Sequence, residues 1–264
     1  MIRDITIGQY YPAKSVIHKL DPRTKLFGTL VFIISVFLFH SIAGYAVATV
    51  FLAGMILIST VPVKFIFKGL KAIFMILLIT MVFNIFLTPG EALVSFGIFK
   101  ITKEGLSMAV RMAIRLVYLV IGSSLMTLTT TPNQLTDGLE KSLRPLNKIH
   151  VPVHEIAMMM SIALRFIPIL LEETDKIMKA QIARGADFEN GNLIQKVKNM
   201  VPLLVPLFIS AFRRANDLAM AMEARCYHGG QGRTKMKPLH YEKRDHLAYL
   251  LMVSYMIAIC VLRG

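Results

Sequence analysis

The sequence is poor in cysteine, in charge and in acidic residues, and each shortage excludes a class of protein. Two cysteines in 264 residues are too few for a disulfide-stapled secreted fold. Only 17% of the residues are charged, whereas a soluble domain carries about 25%. The chain has 16 acidic residues and 30 Lys and Arg, which gives a net charge of +14. Of all residues, 55% are hydrophobic. That apolar content excludes intrinsic disorder, and with the basic excess it indicates a membrane protein whose positive charge lies on one side.

The sequence also lacks the motifs of nucleotide, metal and hydrolytic chemistry. It contains no G-x-x-x-x-G-K-[ST] phosphate loop, no H-E-x-x-H, no G-x-S-x-G and no Cys/His cluster with zinc spacing. We therefore predict no enzyme activity, no catalytic residue, no metal site and no cofactor bound directly by this chain. Nucleotide chemistry would have to come from a partner. Because the membrane accounts for the basic charge, we predict a lipid bilayer and no nucleic acid as a partner.

Charge-free stretches predict about five transmembrane helices. Leu26 to Val63 has 38 residues without a formal charge, or roughly 57 Å of helix, about twice the thickness of a bilayer core. Two spans joined by a turn near His40, Ser41 and Gly44 fit this length better than one span. The three further spans are predicted at Ala72 to Gly90, Leu116 to Thr136 and His246 to Leu262.

The pattern changes between residues 132 and 245. The apolar runs at 156–171 and 200–212 are short or interrupted, the second by Pro202 and Pro206. Runs of this kind are more typical of buried or interfacial helices than of spans. We predict two long amphipathic helices on the cytoplasmic side, and the alternative that both cross the membrane stays open.

These two helices are predicted over about 153–185 and 192–226, with a break at Asn190-Gly191-Asn192. The predicted fold class is an all-α integral membrane protein, with about five transmembrane helices and a cytoplasmic module of long amphipathic coupling helices. The predicted divisions are an N-terminal cytoplasmic segment with a four-span membrane block at 1–131, the coupling-helix module at 132–245, and a C-terminal transmembrane helix at 246–264.

The distribution of basic residues predicts the orientation. With the N-terminus in the cytoplasm and the C-terminus outside, 25 of the 30 Lys and Arg lie on the cytoplasmic side, as the positive-inside rule requires. Arg111 and Arg115 fall inside the fourth membrane segment and share one helix face. Charges at membrane depth are functional by default, but snorkelling of Arg111 and pairing of Arg115 within the bundle are the structural alternative.

Each long predicted helix ends in an arginine between two small residues, as Ala183-Arg184-Gly185 and as Ala224-Arg225-Cys226. Small neighbours let a partner approach the backbone closely, and a guanidinium suits bidentate pairing with a carboxylate. A cation near a helix C-terminus is also favoured by the helix dipole. An ordinary helix ending is therefore the alternative interpretation of either motif alone.

The two motifs, 41 residues apart, occur together with Leu20-Asp21-Pro22-Arg23-Thr24-Lys25 and Gly8-Gln9-Tyr10 before the first span. In this order they resemble the transmembrane (T) component of energy-coupling factor transporters, over the whole chain. This family consists of ATP-driven importers of vitamins and other micronutrients. Cys226 is a departure, since glycine is commoner at that position.

The resemblance implies a scaffold and coupling subunit in a bacterial cell membrane. Arg184 would engage one ATP-binding-cassette ATPase and Arg225 a second one, each with the small residues beside it, and these ATPases would bind the ATP and Mg. A small membrane protein, the S component, would capture the substrate and dock on this chain, which would transmit the ATPase motions to it.

Seven methionines lie between Met158 and Met222. Met-rich surfaces adapt to several partners, so we predict a surface that binds the S component, with the hypothesis that it accepts interchangeable S components. Core filling is the alternative interpretation. The residues assigned to this surface are Met158, Met159, Met160, Met220 and Met222.

Two other transport functions compete with this interpretation. An ordinary ATP-binding-cassette permease subunit would carry one coupling segment, whereas this chain carries two arginine motifs. A self-contained secondary transporter would show paired interrupted spans around a midplane polar site, and no such pair is evident in the sequence.

Overall fold

The computed structural model describes residues 10–39, 41–96, 99–186, 188, 192–230 and 234–262, most of which are helical. The predicted all-α membrane fold is confirmed, with one short hairpin added to it. The helices are α1 Pro22–Leu38, α2 Ile42–Ser59, α3 Val63–Leu87, α4 Lys103–Thr129, α5 Pro132–Leu143, a 3-10 turn Arg144–Ile149, α6 Val153–Ala183, α7 Leu193–Glu223 and α8 Lys243–Val261.

A two-stranded antiparallel hairpin connects α3 to α4. Strands β1 (Ala92–Phe96) and β2 (Phe99–Thr102) pair from Ala92 opposite Thr102 to Phe96 opposite Phe99. The Thr102 hydroxyl accepts a hydrogen bond from the Gly105 amide at 3.1 Å and donates one to the Thr88 carbonyl at 2.9 Å. Thr102, the last residue of the hairpin, is therefore also the N-cap of α4.

The chain divides into two compact units. The first, here called the bundle unit, includes the described residues of 10–138 and 239–262, and the second, the helix-pair unit, comprises 139–238. The three-part division at 131 and 245 stays a prediction.

By length and composition, four of the described helices are able to cross a membrane, and α3 makes a fifth if its two parts form one span. These four are α2, α4, α6 and α8, and α3 is bent by 57° between Val63–Lys71 and Ile73–Leu87. The number of candidate spans agrees with the predicted five, but the helices are not the same five. Helix α1 has 17 residues, about 26 Å, slightly less than the ~30 Å of a bilayer core. Helix α6 qualifies, so its alternative interpretation as a span stays open.

The predicted breaks between helices are confirmed where they can be compared. Helix α1 ends at Leu38 and α2 begins at Ile42, with Ser41 as its N-cap; Ser41 Oγ accepts a hydrogen bond from the Gly44 amide at 3.2 Å. Similarly, α6 ends at Ala183 and α7 begins at Leu193. His40, Asn190 and Gly191, which were part of the two predictions, lie outside the described residues.

The last helix packs back onto the first two. A buried apolar cluster joins α1, its C-cap residue Phe39, α2 and α8, and the hydroxyls of Ser35 and Tyr255 lie 2.7 Å apart within it. At Gly28 of α1 a Cβ atom would lie 2.4 Å from the Met252 Cε of α8. Small residues allow such close approach between membrane helices. The buried members of the cluster are Phe32, Val36, Phe39, Ala48, Leu52, Tyr255 and Ile259.

Asp245 joins the starts of α1 and α8. Its side chain is buried, its Oδ1 accepts a hydrogen bond from the Asp21 amide at 2.8 Å, and its Oδ2 accepts one from the Glu242 amide at 2.8 Å. Helix starts leave such amides without an intrahelical partner. One carboxylate therefore satisfies backbone donors at two helix starts that are more than 200 residues apart in sequence.

The charged side chains of the Leu20–Lys25 segment also have partners within the bundle unit. Asp21 accepts hydrogen bonds from the Arg23 amide, Nε and Nη2 at 2.9–3.0 Å, and the guanidinium lies 3.9 Å from the ring centroid of Tyr241. Lys25 is buried, and its Nζ donates to the carbonyls of His18 and Thr129 at 3.1 and 2.8 Å. Basic residues just before a membrane span are expected to face lipid headgroups. For Arg23 and Lys25 this expectation is wrong, because both cations find acceptors inside the bundle unit.

Pro22 is the first residue of α1, with Asp21 as its N-cap. This placement suits proline, because the amide it lacks would have no helical partner there. Gly8 and Gln9 of the N-terminal motif lie outside the described residues.

Replacing Asp245 with alanine tests the junction between α1 and α8. We expect Asp245→Ala to destabilise the chain by about 2–3 kcal/mol, because two backbone amides lose their acceptor. The measurement is the thermal unfolding midpoint of the detergent-purified protein. Asp217→Ala, at an exposed site on α7, is the matched control. Equal midpoints for the two variants would contradict the bridging role of Asp245.

Candidate functional site

Helix α6 ends in a Schellman motif that presents Arg184. The Gly185 amide donates to the Ile182 carbonyl at 2.9 Å, and the Ala186 amide donates to the Gln181 carbonyl at 3.0 Å. Gly185 has a φ of +89°, the left-handed conformation that this motif requires. The last carbonyls of the helix are thereby satisfied without help from a side chain.

Helix α7 ends in the same hydrogen-bond pattern. The Cys226 amide donates to the Glu223 carbonyl at 2.8 Å, and the Tyr227 amide donates to the Met222 carbonyl at 3.1 Å. Cys226 has a φ of +55°, so it occupies the left-handed position that Gly185 occupies in α6. The replacement of the commoner glycine by cysteine therefore preserves the local backbone, at the steric cost that a Cβ atom brings to this conformation.

Both arginines lie on the surface of the helix-pair unit. Arg184 and Arg225 are exposed, and among the described residues neither guanidinium has a hydrogen-bond or ion-pair partner. Arg214 of the same unit, by contrast, pairs with Glu173 at 2.6 Å. Backbone amides cap the carbonyls of Gln181 and Ile182 in α6 and of Met222 and Glu223 in α7, and neither guanidinium caps its own helix end.

Helices α6 and α7 cross in an antiparallel sense. Glu173 of α6 contacts Ser210 and Arg214 of α7, whereas Gln181, further along α6, contacts Pro202, which lies earlier on α7. The two arginine ends therefore point in opposite directions along the pair. At 1.5 Å per residue, Arg184 and Arg225 are separated by up to about 35 Å.

Two prolines lie inside α7, which nevertheless runs as one helix from Leu193 to Glu223. Pro206 has no N–H to donate to the Pro202 carbonyl. That carbonyl instead accepts a hydrogen bond from Gln181 Nε2 at 3.3 Å. No sequence motif identifies Gln181 or Glu173 as functional residues. The i, i+4 spacing of the two prolines does predict that the Pro202 carbonyl lacks its helical donor and needs another one.

The methionines predicted as a partner surface are not part of a closed core. Met159, Met160 and Met220 are exposed, and Met158 and Met222 are half-buried. Because the helices are antiparallel, these two groups lie at the same end of the pair. Their role in binding an S component stays a prediction.

A larger exposed apolar surface, here called the α7 stripe, runs along the middle of α7. Its side chains recur at helical spacing and line a groove of about 610 Å³ together with Arg213 and Asn216. The sequence showed the apolar run at 200–212. Which of its side chains stay exposed became evident only from the packing of α7 against α6. The apolar residues of the groove are Leu204, Val205, Phe208, Ile209 and Phe212.

Glu140 ties three parts of the helix-pair unit together. Its Oε1 lies 2.9 Å from His154 Nδ1 at the start of α6, and its Oε2 accepts from Lys235 Nζ, in the segment after α7, at 2.5 Å. Burial opposes the charged form of Glu140, but the hydrogen bonds with Lys235 and His154 outweigh it and lower the pKa of the carboxyl. The segment that follows Arg225 is thereby fastened near the start of α6.

Arg115 follows the structural alternative of pairing within the bundle, whereas the snorkelling of Arg111 stays a prediction. Arg111 Nη2 lies 3.3 Å from Ser107 Oγ, and Arg115 Nη2 lies 3.5 Å from the Phe39 carbonyl at the end of α1. Arg115 also faces the Phe37 ring at 5.5 Å. Both cations thus have partners within the bundle unit.

The described part of the chain contains no group of three or more His, Cys, Asp or Glu arranged to hold a metal ion.

Glycine and alanine exchanges test the two helix ends. We expect Gly185→Ala to destabilise the helix-pair unit by about 1–2 kcal/mol, because alanine resists a positive φ, and Cys226→Gly to stabilise it by about 1 kcal/mol. The measurement is chemical unfolding followed by circular dichroism. Gly54→Ala, in α2 where a Cβ atom meets nothing within 4 Å, is the control and should not destabilise. A loss of stability in Cys226→Gly would contradict the assignment.

The chain is similar to known proteins over most of its length. The family model of the cobalt transport protein CbiQ matches residues 13–236. The energy-coupling factor transporter transmembrane protein EcfT of Clostridium kluyveri is 59% identical over 263 residues, which cover 99% of this chain and 96% of that protein. The EcfT of Acidaminococcus fermentans is 51% identical over 263 residues (100% and 98%), and that of Bacillus subtilis 50% identical over 246 residues (93% of each).

These similarities extend over nearly the whole chain, through both helix ends and the last helix. The chain therefore belongs to the family of energy-coupling factor transporter transmembrane proteins, the non-catalytic membrane subunits of these multi-subunit transporters.

Proposed function

We propose that this chain couples two ATP-binding-cassette ATPases to a separate substrate-binding S component, for the uptake of a vitamin or another micronutrient. Arg184 binds one ATPase and Arg225 binds the other, each flanked by the small residues of its helix end. The ATPases bind ATP and Mg, and this chain binds no cofactor itself. Its contribution is mechanical, since it carries the movement of the ATPases to the S component.

The observation that carries the proposal is the repetition of one helix ending. Both ends have the same Schellman hydrogen bonds, a residue in the left-handed conformation directly after the arginine, and an exposed guanidinium. An ordinary helix ending explains one such motif but gives no reason for two exposed arginines in identical settings. Two matching ends that point in opposite directions suit two partners with similar binding grooves.

The chemistry of the arginine ends defines what they would bind. A guanidinium forms its strongest pairs with carboxylates, in a bidentate geometry. Ala183 and Ala224 precede the two arginines and add little bulk, so a partner groove is able to close around each helix end. We therefore propose an acidic side chain in each ATPase groove as the acceptor.

The S component would dock on apolar surface of the helix-pair unit. The α7 stripe includes Phe208 and Phe212, which are 61% and 67% exposed, and large apolar patches of this kind mark interaction surfaces. The methionines at 158–160, 220 and 222 extend the candidate surface with adaptable side chains. We also propose that the N-terminus is cytoplasmic and the C-terminus extracellular, since this orientation keeps most of the basic charge inside.

Alanine replacement of the two arginines tests the proposal. The chain is co-expressed with its two ATPases and an S component, the complex is captured by a tag on this chain, and substrate uptake into vesicles is measured. We expect Arg184→Ala or Arg225→Ala to weaken the interface with one ATPase by about 2–5 kcal/mol, because a desolvated charge pair loses one partner. The double variant should lose both ATPases and all uptake.

Arg144→Ala, which removes the same charge from an exposed site in the same unit, is the matched control and should assemble and transport normally. Wild-type assembly and uptake in the Arg184→Ala, Arg225→Ala double variant would refute the proposal. Recovery of two different ATPases with a single copy of this chain would separate it from an ordinary permease, and ATP-independent uptake would indicate a secondary transporter.

A further inference from the structure

Helix α7 is weakened at its centre by its own sequence. Pro202 and Pro206 supply no N–H, so the carbonyls of Lys198 and Pro202 lose their helical donors. Two missing hydrogen bonds within two turns reduce the resistance of the helix to bending. The angle between the two halves of α7 therefore depends on contacts outside its own backbone ladder.

Gln181 supplies the first of these contacts. Its side-chain Nε2 donates to the Pro202 carbonyl at 3.3 Å. Its backbone carbonyl accepts the amides of Arg184 and Ala186, each at 3.0 Å, in the motif that ends α6. One residue thus bonds both to the weakened segment of α7 and to the helix end that presents Arg184.

Glu173 supplies the second contact, on the C-terminal side of the prolines. Its Oε1 accepts from Ser210 Oγ at 2.5 Å and its Oε2 accepts from Arg214 Nη2 at 2.6 Å. Ser210 and Arg214 lie about one and two turns beyond Pro206, in the half of α7 that ends at Arg225. The ionic partner makes this contact stronger than a neutral hydrogen bond.

We propose that α6 holds α7 on both sides of Pro206, and that Gln181 and Glu173 are positioning residues that set the angle between the two halves of α7. Through these contacts the position of Arg225 is tied to that of Arg184. A displacement of the Arg184 end pulls on the proline segment through Gln181, while Glu173 holds the C-terminal half of α7. This inference rests on the proposed function, because it assigns to these residues the link between the two ATPase-binding ends.

The test uses the complete complex with both ATPases and an S component, reconstituted in liposomes. Assembly, ATP hydrolysis and substrate uptake are measured separately. In Gln181→Leu, which keeps the side-chain size and removes the donor, we expect assembly and hydrolysis to persist. Uptake per ATP hydrolysed should fall about threefold to tenfold, the range that corresponds to one neutral hydrogen bond. Gln181→Lys, whose ammonium restores a donor, should recover the ratio.

A matched control and a charge exchange complete the design. Gln195→Leu makes the same replacement at an exposed site in the first turn of α7 and should leave uptake per ATP unchanged. Glu173→Arg and Arg214→Glu should each lower the ratio, whereas the double exchange, which restores an opposite-charge pair, should recover most of it.

The outcomes separate this inference from the proposed function. An unchanged ratio in Gln181→Leu, or no recovery in the charge exchange, overturns the inference while ATP-driven uptake by the wild-type complex upholds the proposed function. Loss of assembly in Gln181→Leu also overturns it, because that result indicates a merely structural contact. A wild-type chain that binds no ATPase refutes the proposed function itself.

Discussion

Backbone groups without a helical partner are the constraint on which this structure depends. A chain of long helices leaves N–H groups at each start and C=O groups at each end, and a bilayer offers them no water. In the bundle unit, Asp245 accepts two such amides and Lys25 donates to two carbonyls. These two buried charged residues therefore lie where helices begin, and their partners are backbone groups near helix ends.

The same constraint shapes the candidate coupling site. Backbone amides satisfy the last carbonyls of α6 and α7 in matching motifs, so Arg184 and Arg225 are not consumed in capping their own helices. Inside α7, by contrast, Pro206 leaves a carbonyl that only another helix supplies with a donor, and Gln181 does so. Because the two helix ends are capped by backbone amides, the arginines are available for partners. The Pro202 carbonyl, which has no helical donor, instead bonds to Gln181 and so links α7 to α6.

Much of the fold followed from local pattern. Charge-free runs predicted α2, α4 and α8 as membrane helices but not α6, whose apolar run is interrupted by Arg165. Ser41 and Asn192 predicted helix starts that the structure confirms, since they are the N-caps of α2 and α7. Both arginine tripeptides were visible because each is contiguous in sequence. The burial of Lys25 and the pairing of Arg23 with Asp21 were not predicted, since a cation beside an apolar run suits a headgroup equally well. The hairpin at 92–102 was also missed, because its two short strands form a ladder only with each other.

The sequence by itself determined that this is a basic, all-helical membrane protein with two arginine-terminated helices, because hydropathy, charge and tripeptides are local properties. Only the tertiary structure decided that Arg184 and Arg225 lie at opposite ends of an antiparallel pair, that Cys226 adopts the backbone expected of glycine, and that Gln181 and Glu173 hold α7 around its prolines. Those properties depend on which side chain of α6 lies beside which carbonyl or hydroxyl of α7. Helical periodicity sets the faces of each helix separately, but their register is set only when the two helices pack together.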